Sequence, residues 1–125
     1  MRSPWEGEVL RYALLVYNDS EVRARTEEEQ LRVNAEVEEV LERPNVTGWL
    51  RLQDDESATT VRHEQGRTLL TDGPFVDSKD FLGGFIVVEA ENLDGALAVA
   101  GELQQIRCGA AIEVRPVRDE DLVGA

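Results

Sequence analysis

Only two segments of this chain carry the apolar repeat of a helix, residues 26–43 and 92–106, and they lie far apart. The apolar material between and around them comes in short runs of strand type. Two helices can cover one face of a sheet but not both. The second face must therefore meet solvent or be buried against something else. No other feature restricts the fold as much.

The first helical segment, "TEEEQLRVNAEVEEVLER", opens with Thr26 and Glu29 at capping-box spacing and with acids in the first turn, where the helix dipole favours them. Val33, Val37, Val40 and Leu41 form one apolar stripe, and Pro44 stops the helix. In the second, "NLDGALAVAGELQQI", Asn92 is the cap, and Leu93, Ala96, Leu97, Ala100 and Leu103 form the expected buried stripe. Gly95 and Gly101 each cost about 1 kcal/mol against alanine, so this helix depends on packing. Strands are expected at "VLRYALLVY" (9–17), apolar enough for burial on both faces, at "VTGWLRLQ" (46–53), at "GGFIVVEA" (83–90) and at "AAIEVRPV" (110–117). "SATTVRHEQ" and "RTLLT" read as a hairpin turning at Gln65–Gly66, and "NDSEVRAR" as a polar turn. The order is β-α-β-β-β-β-α-β. It describes an α+β fold, a ferredoxin-like split βαβ with an added hairpin, in which two helices lie on one face of an antiparallel sheet. The simplest cover for the other face is a second copy, giving a homodimer.

The chain of 125 residues fits a single domain, 1–125, with 1–8 and 119–125 expected as flexible ends. Its 26 acidic against 13 basic residues give a net charge of −13, which repels phosphate backbones and anionic headgroups. Direct nucleic-acid or membrane binding is therefore not expected, whereas a basic protein partner suits the charge. The apolar runs fall far short of the roughly 20 residues that span a bilayer, and "MRSPWEGEVL" has no signal-peptide core, so a cytoplasmic location is expected. Cys108, the single cysteine, follows the second helix and precedes Gly109, where a small half-buried side chain fits. With one cysteine and one histidine, His63, there is no disulfide and no metal site to expect. No phosphate-cradling glycine loop occurs, so no nucleotide, flavin or other cofactor is expected.

The chemistry-bearing stretch is "TDGPFVDSKDFLGGF", Thr71 to Phe85. Gly73 precedes Pro74 and can take a conformation that a Cβ disfavours, while Pro74 fixes a turn from which Phe75 can anchor the loop in the core. Gly83 and Gly84 permit a bulge, or leave space above the sheet for a ligand or another backbone. Two readings of the acids stand side by side. In one, Asp72 caps the turn's own amides, and Asp77, Lys79 and Asp80 form a solvated face. In the other, Asp72 and Asp77 point into a small cavity left by the glycines, Lys79 neutralises one of them, and a desolvated acid acts as general base. His63, on the hairpin, is either a surface residue or a further acid–base group. Trp5 and Trp49 are candidates for an aromatic pocket wall, and Trp49 is equally a core or interface residue.

This stretch resembles the signature of the DGPF proteins, a branch of the YCII-related family of small bacterial proteins. "YALLVY", "ATTVR" and "GAAIEVRPV" stand in the family's expected order, so the resemblance covers roughly residues 10–118. It implies a ferredoxin-like fold that dimerises into an α/β barrel, with a pocket between helices and sheet near the motif; Gly73, Pro74, Phe75, Lys79, Gly83 and Gly84 are the ligand-binding candidates there. It implies further that Asp77 matches the acid of a His–Asp pair used by YCII-type members, whose histidine lies in the first helix. Here that helix contains no histidine. Association with an extracytoplasmic-function sigma factor, as a non-catalytic regulatory module, is the alternative function that the resemblance carries.

Overall fold

The computed structural model describes residues 9–118, so the expected flexible ends and Trp5 lie outside the described residues. The central pair of strands is β1 (Leu10–Asn18) against β5 (Phe81–Ala90). β2 (Val46–Arg51) flanks β5, and β6 (Ala111–Pro116) flanks β1. All pairings in this four-stranded sheet, ordered β2-β5-β1-β6, are antiparallel. That is the split βαβ order, and the α+β arrangement is compatible with a ferredoxin-like fold. β3 (Thr59–Glu64) and β4 (Arg67–Asp72) form a separate two-stranded sheet. They turn at Gln65 and Gly66, both with left-handed backbone (φ 49° and 76°), as a type I′ hairpin requires.

Three helices occur among the described residues, one more than the apolar repeat predicts. The short α1 (Ser20–Arg23) lies in "NDSEVRAR" and is capped by Asp19, whose Oδ1 accepts from the Val22 amide at 3.0 Å. One helical turn is too short to leave a repeat in the sequence. α2 (Glu27–Leu41) starts at Thr26, whose Oγ1 accepts from the Glu29 amide at 3.1 Å. α3 (Leu93–Arg107) starts at Asn92, whose Oδ1 accepts from the Gly95 amide at 3.0 Å. No helix among the described residues is long and apolar enough to cross a membrane.

The core is built from Tyr12 and Leu14 of β1, Ile86 and Val88 of β5, Val40 and Leu41 of α2, and one stripe of α3. That stripe is corrected by the structure. Ala96, Val99, Ala100 and Leu103 are buried, whereas Leu93 and Leu97 are 45% and 47% exposed. A stripe through 96, 100 and 103 places 93 and 97 on its flank, and Arg107 continues it one turn further. Cys108 is also corrected. It is exposed, and it caps α3 in the left-handed conformation (φ 49°), which turns its side chain away from the helix packing.

The opposite face of the sheet carries Ala13, Leu15 and Tyr17 of β1 and Phe85 and Val87 of β5, all half-buried in the single chain, with Leu50 of β2 exposed at their edge. The pairing Leu15–Phe85–Leu50 makes a continuous apolar row across three strands.

Candidate functional site

The stripe of α2 is buried only at its C-terminal end. Val40 and Leu41 pack into the core, while Val33 and Val37 are half-buried and line a cavity of about 190 Å³ between the helices and the sheet. Val16, Ile86, Trp49 and Ile112 form its apolar floor, and Val22 and Leu103 close it from α1 and α3. Its polar groups are Asn18, Gln30, Asn34, Arg51 and Arg107. Gln30 donates to Asn34 across one turn of α2 (2.8 Å), and the Arg51 guanidinium sits 4.9 Å from the centre of the Trp49 ring.

Gly83 and Gly84 enter this lining for two different reasons. The register of β1 against β5 passes from Val16–Gly84 to Tyr17–Leu82, so Gly83 is the extra residue of a β-bulge. A Cβ on Gly83 would overlap the Asn18 amide group, whereas a Cβ on Gly84 would overlap the Leu50 carbonyl oxygen and lie 3.2 Å from Arg51 Cα. The close approach at Gly84 is thus to the backbone of β2, and that at Gly83 is to a side chain of the cavity.

Arg107 is 7% exposed and the one charged residue buried among those described. It donates to the Tyr17 carbonyl at 2.7 Å, to Asn18 Oδ1 at 2.8 Å and to Gln104 Oε1 at 2.6 Å, tying the end of β1 to the end of α3. Gln104 in turn donates to the Gly109 carbonyl at 2.7 Å, and Arg25 donates to the Arg107 carbonyl. Burial, followed by the nearby Arg25 charge, lowers the proton affinity of Arg107 from its ordinary value.

A second cluster lies two residues beyond Leu52 of the lining. Arg23 bridges Asp54 (3.0 Å) and Asp55 (2.6 Å) and lies 4.4 Å from the centre of the Phe81 ring. The hydrogen bond between the two carboxyls separates them, holding Asp54 below and Asp55 above the ordinary aspartate range. The cluster fastens α1 to the 3₁₀ turn (Asp55–Ser57) that precedes the hairpin.

The pattern of the YCII-related domain matches residues 10–121, almost the whole chain. The chain belongs to the YCII-related family. It is similar to an uncharacterized protein of Rhizobium meliloti (strain 1021), 37% identical over 112 residues that cover 85% of this chain and 90% of that one.

In this YCII-related chain, the residues singled out from sequence fall in two places. Gly83 and Gly84 line the cavity. Asp72, Asp77, Lys79 and His63 are exposed and outside the lining. Gly73 has φ 101°, donates its amide to the Ala58 carbonyl (2.7 Å), and accepts from Thr60 Oγ1 (2.8 Å), so it and the half-buried Pro74 close the base of the hairpin. Phe75 is 74% exposed and does not anchor the loop in the core. The loop leaves β4, which belongs to the separate hairpin, and this carries Phe75 away from the main sheet.

Asn18, Gln30, Asn34 and Arg107 were not singled out from sequence. Two of them carried a usable signal. Asn18 continues the alternation Tyr12, Leu14, Val16, and Arg107 continues the stripe Ala96, Ala100, Leu103. A polar residue that keeps the phase of a buried face marks the end of the core or a group turned into a cavity.

Proposed function

We propose that this protein binds a small organic molecule in the cavity beneath α2, with Gly83 and Gly84 of the motif in its floor. The observation that carries this reading is the lining of the cavity: mostly apolar side chains with a few polar groups among them. Among the described residues the lining contains no carboxylate, histidine or thiol, which supports binding rather than acid–base chemistry by the cavity alone. An acid–base role for Asp77, with Asp72 and His63, belongs to the proposal in one form. The motif loop of a second copy would have to bring it to the site.

The test is a fragment screen by ligand-observed NMR on the parent and on Val37→Trp, which fills the cavity from α2. Fragments that bind the parent are expected to lose at least about tenfold in affinity in Val37→Trp, more than 1 kcal/mol of binding. Fragments that bind both proteins equally would remove the cavity from the reading.

The same reading pairs two copies through the open sheet face. The apolar row Leu15–Phe85–Leu50, with Ala13 and Val87 beside it, supports this, as do exposed Phe75 and Val76 on the motif loop. Light scattering at micromolar concentration is expected to give twice the chain mass, and a monomer mass would rule the pairing out.

A further inference from the structure

The charges around the cavity point to the class of ligand, an inference that rests on the cavity being a ligand site. The chain carries 26 acidic residues in 125, yet among the described residues no acid lines the cavity, whereas Arg51 and Arg107 both do. Arg107 donates only to neutral oxygens, those of Tyr17, Asn18 and Gln104. These three bonds use three of its five N–H donors and bring no negative charge, and a buried cation in that condition favours an incoming anion. Asp19 is the carboxylate whose charge reaches it, and Asp19 stands outside the lining, capping α1 through the Val22 amide at 3.0 Å.

Asn18 supplies a second donor, and its orientation is forced. Arginine has no acceptor, so the oxygen of Asn18 must face Arg107, which turns Nδ2 the other way, toward Gly83. Nδ2 donates to no group among the described residues. The missing Cβ of Gly83 is what leaves room for Nδ2 itself, since a Cβ there would overlap it.

Size narrows the class further. A dry cavity of about 150 Å³ holds benzene. At about 190 Å³ this one has space for a single ring, or a short aliphatic chain, with one small substituent.

We propose that the cavity takes a small monocarboxylate, its carboxylate at Asn18 and Arg107 and its hydrocarbon between Val33 and Val37 of α2 and Ile86 of β5. Because the whole chain carries −13, selectivity for an anion has to arise inside the cavity and not from long-range attraction.

Benzoate, benzamide and benzylamine share one shape and differ in charge. Titrated into the protein with amide ¹H–¹⁵N shifts as readout, benzoate is expected to bind about tenfold more tightly than benzamide, with shifts centred on Asn18, Gly83 and Gly84, and benzylamine not at all. Arg107→Gln is expected to bring benzoate and benzamide within about twofold of each other. If that variant does not fold, the ranking in the parent protein decides alone. Benzamide binding as well as benzoate would overturn the carboxylate assignment and leave the cavity a ligand site. Failure of all three overturns the assignment as well, and a blank fragment screen beside it would remove the ligand site too.

Discussion

Gly84→Val is expected to lower the melting temperature by roughly 12 °C or more, while Gly83→Ala, one residue away, lowers it by only a few degrees. At Gly84 the added Cβ meets the Leu50 carbonyl and the Arg51 Cα of the neighbouring strand, and backbone in a paired strand cannot step aside as a side chain can. β5 is a central strand with partners on both sides, so shifting it disturbs its pairing with β1 or with β2. Overpacking of this kind costs about 3 kcal/mol or more, a large part of the 5–15 kcal/mol that hold an ordinary domain together. At Gly83 the obstacle is the Asn18 amide, a side-chain group that can give way by loosening its bond to Arg107. The cost there falls on the cavity, where benzoate binding should weaken while the fold survives. Thermal melts of the two variants, followed by circular dichroism, check the contrast. Equal melting temperatures would mean that the register of β2 on β5 yields more easily than its geometry indicates.

The second large effect is expected at Arg107. Arg107→Met keeps the volume of the side chain but leaves the Tyr17 carbonyl, Asn18 Oδ1 and Gln104 Oε1 without their donor. Asn18 and Gln104 can turn toward other partners, whereas the Tyr17 carbonyl is fixed in β1. An unpaired buried acceptor costs about 1–3 kcal/mol, partly offset because a charge no longer has to be held away from water. A net loss of about 2 kcal/mol, read from urea unfolding with an unchanged slope, is the expected outcome. Arg107→Lys retains the charge but not the planar fork and should fall between the two. If Arg107→Met proves as stable as the parent, water satisfies the three acceptors, and the arginine serves the cavity and not the fold.

These two residues also mark where the sequence was legible and where it was not. α2 and α3 announced themselves by cap and period, and Thr26 and Asn92 make the capping bonds that their positions imply. The left-handed turn at Gln65–Gly66 was equally readable, since few residue pairs tolerate that backbone. The phase of α3 was harder. Leu93 and Leu97 are as apolar as Leu103, and only packing against β5 and β6 selects which flank is buried. The site divides in the same way. The two glycines were visible as residues that omit a Cβ on a strand, although which backbone or side chain fills the space depends on pairing across β1, β5 and β2. The glycines pointed to a cavity, but its α2 wall was not visible, because Val33 and Val37 look identical in sequence whether they meet the sheet or stand off from it.

The connection between β2 and β5, residues 52–80, contains a sheet of its own that shares no strand with the four-stranded sheet. Its base is fastened by Arg23 to Asp54 and Asp55, and by Gly73 to Ala58, while the tip at Gln65 and Gly66 is exposed. The cost of closing a loop grows only slowly with its length, so the main sheet can tolerate large changes in how many residues lie between those fasteners. The hairpin is therefore an appendage that evolution or an engineer could lengthen, shorten or replace with a foreign module at the tip, leaving the order of the four core strands as it is.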